Sequence, residues 1–330
     1  MRELVSAQQP VVLRGLIGHW SAVEQARVSP EALIRYLQRF DRGSLVDALL
    51  APPQFNGELS YNAAMTGFNF VRNRLPVSAL AEQLVRYSKF SNPPSLAAQS
   101  ALIRDCLPGF DTENALRILP PDVAPRIWLG NRVTTPAHVD EWNNIGCVVA
   151  GRRRFTLFPP DQIGNLYIGP LDFAPTGAAM SLVSLKNPDF DRYPKFREAL
   201  AAAQVSELGA GDALYIPPLW WHHVESLESF NVLVNYWWHP ADGQIRLEGG
   251  GDADSAFDAL LQGILSIRSL APATRRAWAS LFEHYVFAPH EASVSHIPAE
   301  RRGILDTLSP AQAAALREHL VRKLTQRQGE

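Results

Sequence analysis

Hydrophobic and polar positions change their period along the chain. Between residues 121 and 240, short apolar or aromatic runs (IWLG, CVVA, FTLF, ALYI and NVLVNYWW) are separated by breaks rich in Gly, Pro and Asn. Runs of this length, bounded by turn formers, predict the strands of an all-β barrel or sandwich. A longer polar excursion, about 160–204, interrupts them; it contains NPDFDRYPKF and predicts an Ala-rich helix near 195–203. An insertion that long between strands is usually a functional loop or lid.

The flanks read differently. Residues 1–120 mix strands and helices, with PVVLRGL (10–16) predicting a strand from its β-branched start. Ser29-Pro30-Glu31 opens a helix with an N-cap, a first-turn proline and an acid at the positive end of the dipole. Leu33, Tyr36 and Leu37 give that helix its apolar stripe. Further helices are predicted over 78–88 and 95–105. Gly249-Gly250-Gly251 marks a boundary, beyond which Leu260, Ile264 and Ile267 share one helical face and Trp278, Phe282 and Tyr285 another. The last helix opens on Ser309-Pro310-Ala311-Gln312, a capping box, with Leu316, Leu320 and Leu324 behind it. The expected organisation is a mixed α/β segment (1–120) packing on a β core (121–240), then a C-terminal helical segment (249–330) whose apolar stripes seek the barrel or a second subunit.

Composition narrows the function classes. The 330 residues are 46% hydrophobic and 19% charged with a formal net charge of −2, which excludes disorder for the bulk of the chain. A pI near 6.5 leaves no electrostatic footprint for nucleic acid. Two cysteines, Cys106 and Cys147, make neither a disulfide framework nor a Cys-rich zinc site, and fit a reducing compartment. The opening MRELVSAQQP lacks the apolar run of a signal peptide, and no apolar stretch suits a membrane span. A cytoplasmic protein is expected.

Candidate chemistry lies in four segments. In TTPAHVDEWNN, His138 and Asp140 are two apart, which on a strand turns an imidazole and a carboxylate to one side. That is two thirds of a 2-His-1-carboxylate set, although such a pair alone arises often by chance. Trp142, two further on, is expected on the same face. In GDALYIPPLWWHHVES, a histidine opening a new strand offers a third ligand; adjacent residues point oppositely, so only one of His222 and His223 can serve. In GRRRFTLF, alternation places Arg153 beside Phe155 and Leu157. If that face is interior, the guanidinium needs an anion: a dicarboxylate cosubstrate or a protein carboxylate. In NVLVNYWW, Asn235 shares a face with Leu233 and Trp237 and, if buried, needs hydrogen-bond partners, from a ligand, from the groups that hold a metal's ligands, or from backbone.

The order Thr-Pro-Ala-His-x-Asp, Gly-Arg-Arg-Arg-Phe-x-Leu-Phe-Pro-Pro, Gly-Asp-x-Leu-Tyr-Ile-Pro-x-x-Trp-Trp-His-His and Val-Asn-x-Trp resembles the JmjC and cupin-like-domain oxygenases, in particular the branch of asparaginyl hydroxylases. The resemblance covers about residues 10–240 and implies a jelly-roll core, a double-stranded β-helix, that binds Fe(II) and 2-oxoglutarate. It implies His138, Asp140 and His222 as metal ligands. By position, Thr135 and Arg153 match residues that hold the distal carboxylate of 2-oxoglutarate, Arg153 standing where the family often has lysine. Asn144 and Asn235 match residues that contact the cosubstrate or its iron-bound end. A tyrosine that helps hold the cosubstrate is expected near 95–99, where this chain reads SLAAQ. The implied activity is hydroxylation of a C–H bond, on a peptide side chain or a small molecule, with O2 consumed and succinate and CO2 released. The C-terminal helices imply a homodimer. A metal-binding cupin of other chemistry and a catalytically silent scaffold are the competing readings.

Overall fold

The computed structural model describes residues 1–175, 177–238, 256–288, 294–306 and 308–326. Among the described residues, twelve strands form two antiparallel sheets. They are β1 (Val11–Leu13), β2 (Leu45–Ala51), β3 (Val71–Pro76), β4 (Ser95–Leu102), β5 (Pro125–Gly130), β6 (Thr134–His138), β7 (Asn143–Ala150), β8 (Arg152–Phe158), β9 (Gln204–Gly209), β10 (Ala213–Ile216), β11 (Trp221–Ser226) and β12 (Asn231–Trp238). The larger sheet runs β1-β10-β7-β12-β5-β4-β2-β3 and the smaller β6-β11-β8-β9. From β5 onward the chain passes repeatedly between the sheets, as a jelly roll does. Val148, Leu214, Ile216 and Leu233 of the large sheet meet Phe155, Leu157 and Leu208 of the small one in a shared apolar layer.

The opposite face of the large sheet carries the main core. Helices Ser21–Val28, Pro30–Gln38 and Val77–Tyr87 supply Val23, Leu33, Leu37, Leu80 and Leu84 to it, against Ala48, Ile127, Val149 and Val234 from the strands. Ser29 caps the second of these helices, its hydroxyl accepting from Ala32 N–H at 3.1 Å. Both cysteines are free and buried in this cluster. Burial pushes the Cys106 thiol up to about 12 and raises that of Cys147 as well.

One predicted helix is a strand. Residues 95–105, Ala- and Gln-bearing and locally helix-prone, form β4 followed by a single turn, Ile103–Cys106. Tertiary pairing overrides propensity there. β4 fills the gap between β2 and β5, with Ala97 opposite both Leu49 and Gly130. The seam is tight: a Cβ on Gly130 would stand 2.9 Å from Ala97 Cβ and 2.9 Å from Leu96 O. Small side chains are what the site needs. A bulge between Ala98 and Ala101 follows, with Ser100 at φ 54.

The excursion after β8 holds a short turn, Pro160–Gly164, a loop tied by the bridges Ile168↔Ser181 and His138↔Met180, and the helix Phe196–Ala201. By its contacts the chain divides into two compact units, Met1–Gly250 and Gly251–Glu330. The glycine run at 249–251 lies outside the described residues. In the second unit, helices Ala256–Ile267, Pro272–Phe282 and Pro310–Gln326 form. The capping box closes as the sequence predicts, with Ser309 N–H donating to Gln312 Oε1 at 2.9 Å. Leu265, Trp278, Tyr285 and Leu320 are exposed. No described helix is long and apolar enough to cross a membrane.

Candidate metal centre

β6 and β11 are antiparallel neighbours, with His138 directly opposite His222 and Thr135 opposite Val224. Three steps on β6 therefore match two on β11, so β6 carries a bulge at Pro136-Ala137. On a regular strand Thr135 and His138, three apart, would face opposite ways. The bulge lets both line one cavity. The two imidazoles stand 4.2 Å apart between ring centroids. Asp140 lies just past the end of β6, its carbonyl accepting from Leu219 N–H at 2.9 Å. Its Oδ2 is 3.5 Å from His222 Nε2. One ligand atom from each of His138, Asp140 and His222 lies within 4.8 Å of the others.

Hydrogen bonds on the far sides of the rings set their tautomers. His138 Nδ1 lies 2.9 Å from Pro136 O, and His222 Nδ1 lies 2.9 Å from Trp220 O. A carbonyl only accepts, so each Nδ1 bears a hydrogen and Nε2 is the nitrogen turned toward a metal. Burial first, then the neighbouring His222 ring, holds the His138 imidazole well below its ordinary value, against the pull of Asp140. Two Nε2 atoms beside a carboxylate form a donor set for a divalent first-row metal. Asp140 Oδ2 accepts from Asn144 Nδ2 at 3.0 Å and from Trp237 Nε1 at 3.0 Å.

The cavity holds about 1040 Å³ of empty space, its open mouth included. Arg153 lines it from β8. Alternation sorts that strand's arginines: Arg152 and Arg154 face outward and pair with Glu228 at 2.8 Å and Glu207 at 2.6 Å. Arg153 faces inward, 6% exposed, with Phe155 beside it on the cavity wall. Its Nε has no hydrogen-bond partner. No ion pair to it occurs among the described residues. Burial lowers its pKa to about 10, which leaves it charged at neutral pH. An unpaired buried guanidinium is costly, so this end of the cavity suits an anion. Thr135 shares the lining.

The structure thus gathers Thr135, His138, Asp140, Asn144, Arg153, His222 and Asn235 around one cavity. His223 does not join them. It is 2% exposed, with Nδ1 unpartnered, and burial first, then the nearby cations Lys186 and Arg154, lowers it to about 3. Trp142 is a correction: β6 ends at His138, the chain bends through Glu141-Trp142, and Trp142 is not on the cavity wall. Trp237 is, and its place on one face with Asn235 was the signal for it. The wall also includes Asp47, Leu49, Arg72, Gln99, Ser100 and Trp128, none of which carried a motif.

Comparison with known proteins places this geometry in a family. The family model described as cupin-like domain matches residues 1–244. Lysine-specific demethylase JMJ31 of Arabidopsis thaliana is 28% identical over 257 residues, covering 69% of this chain and 46% of that protein. HSPB1-associated protein 1 of Rattus norvegicus is 27% identical over 253 residues, covering 71% and 49%. Lysine-specific demethylase 8 of Xenopus tropicalis is 26% identical over 232 residues, covering 70% and 48%. The chain therefore spans about half the length of these curated relatives. Among solved structures, the X-ray structure of E. coli ycfD is similar at a TM-score of 0.41 and 16% identity, over 96% of this chain and 64% of that one. The matched span contains every strand of both sheets and all three converging side chains: the chain belongs to the cupin-like (JmjC) domain family.

Proposed function

We propose that the chain is an Fe(II)- and 2-oxoglutarate-dependent oxygenase that hydroxylates a C–H bond. One observation carries the reading: two imidazole nitrogens and a carboxylate converge in the same cavity as a buried guanidinium that has no ion pair among the described residues. When bound, Fe(II) with 2-oxoglutarate and O2 supplies the oxidising power to place oxygen on an unactivated carbon, releasing succinate and CO2.

The chain's own residues hold and orient. His138, Asp140 and His222 would hold the metal. Arg153 binds the distal carboxylate of 2-oxoglutarate with a charge-assisted fork, and Thr135 adds a hydroxyl donor. Phe155, Val224, Leu233 and Ile216 line the same space and exclude water. Asp47, Arg72 and Gln99 on the outer wall contact the substrate, a peptide side chain or a small molecule. Two relatives are named as lysine-specific demethylases, and the same oxidation of a carbon on a methylated nitrogen ends in loss of that methyl group. The exposed apolar side chains of the C-terminal helices support a homodimer, and two free buried thiols suit a reducing compartment such as the cytoplasm.

Anaerobic titration with 2-oxoglutarate in the presence and absence of Fe(II) tests the reading. Metal-dependent binding, followed by succinate release on admitting O2, is the expected result. Binding that ignores the metal overturns it.

A further inference from the structure

We propose that Trp128 is a positioning residue for Asp140, acting through a hydrogen-bond relay that runs in one direction only; this rests on the reading of Asp140 as a metal ligand. Trp128 Nε1 donates to Asn235 Oδ1 at 2.7 Å, Asn235 Nδ2 to Asn144 Oδ1 at 3.2 Å, and Asn144 Nδ2 to Asp140 Oδ2 at 3.0 Å. A carboxamide can turn over, exchanging donor for acceptor. Here neither can. An indole N–H only donates, so Asn235 must offer Trp128 its oxygen. Its nitrogen then faces Asn144, which must answer with oxygen and is left with its nitrogen toward the carboxylate. Asn144 and Asn235 are 7% and 2% exposed, so water does not compete freely for these bonds.

Trp128 touches the second arm too. Trp237, the other donor to Asp140 Oδ2, meets the Trp128 ring edge-on, centroids 6.1 Å apart at 83°. Both donors that fix the rotation of the Asp140 carboxylate thus lead back to one side chain on β5. Without the indole N–H, Asn235 loses the anchor on its oxygen, and its carboxamide is held toward Asp140 only through the 3.2 Å bond to Asn144.

The experiment is Mn(II) binding to the full chain without cosubstrate, read from the spin resonance of free Mn(II). Trp128→Phe keeps a ring against Trp237 and removes the donor. It is expected to weaken Mn(II) binding about tenfold, the lower end of what outer hydrogen-bond partners contribute at metal sites. Asn235→Ala cuts the same relay and should give the same loss. In an Asn144→Ala background, Trp128→Phe should add nothing. Wild-type affinity in Trp128→Phe overturns the relay alone. So does a loss in Trp128→Phe that Asn235→Ala does not share, or that persists in the Asn144→Ala background, since it then comes from packing. A wild-type chain that binds no Mn(II) overturns the ligand reading and the relay together.

Discussion

Two walls of the cavity are built on different terms. The inner wall, from β6, β8 and β11, carries Thr135, His138, His222 and Arg153. Its side chains are fixed by register and by backbone carbonyls, and its one buried charge is left without a protein partner. The outer wall, from β2, β3 and β4, carries Asp47, Arg72, Gln99 and Ser100. Its charges already have company: Asp47 lies 3.7 Å from Arg74, and Arg72 donates to Pro175 O at 2.7 Å. Ser100, at the bulge, is held by Arg126 Nη1 on its carbonyl at 2.9 Å. The inner wall is set up to bind small charged groups. The outer wall is a surface already satisfied, joined to the barrel through a seam of small residues. Chemistry and reach are thus assigned to separate strands.

Substitutions on each wall should fail in different ways. Asp140→Ala removes a converging ligand, and 2-oxoglutarate turnover measured as succinate should fall more than about 100-fold, beyond the range for outer partners. Retained turnover would dissolve the distinction between the walls. Arg153→Leu should weaken 2-oxoglutarate binding about 10- to 100-fold by calorimetry with Mn(II) present, as expected for a lost charge-assisted bond. The same variant should melt no lower than wild type without ligand, because it removes a buried charge that has no partner. A large drop in melting temperature would mean that the guanidinium is structural.

On the other wall, Gly130→Ala should cost about 1–3 kcal/mol in urea unfolding, since the new methyl meets Ala97 and the Leu96 carbonyl in the seam. A neutral result would show that the outer strands yield easily. The smallest effect concerns pH. His223, behind the inner wall, ionises near 6.5 when unfolded but only at about 3 when folded. Between these values the unfolded chain binds the extra proton, so this residue makes stability fall as pH drops below about 6.5. His223→Leu should flatten the dependence of melting temperature on pH across that window; an unchanged slope would assign it to other groups.

The inner wall was legible in the sequence because its signals are local. The spacing of His138 and Asp140, the alternation of Arg153 with Arg152 and Arg154, and the Pro217-Pro218 break before His222 all lie within one segment each. The outer wall was not, because its strands exist through partners far away in the chain. Ser95–Leu102 has the composition of a helix and is a strand through pairing with residues 48–51 and 126–130. Nothing near Trp128 or Trp237 in the chain shows that their N–H groups reach Asn235 and Asp140. The Thr135–His138 pair lies between these cases: the residues were found, but the bulge that turns both inward depends on β11.

The two cysteines have a practical consequence. Both thiols sit inside one apolar cluster and stay protonated, so the folded chain presents no thiolate to compete for iron or to react with oxidants around it. An alkylating reagent can reach them only when that cluster opens. The rate at which the pair is labelled together is therefore a clock for cooperative opening of that cluster, readable without any added probe.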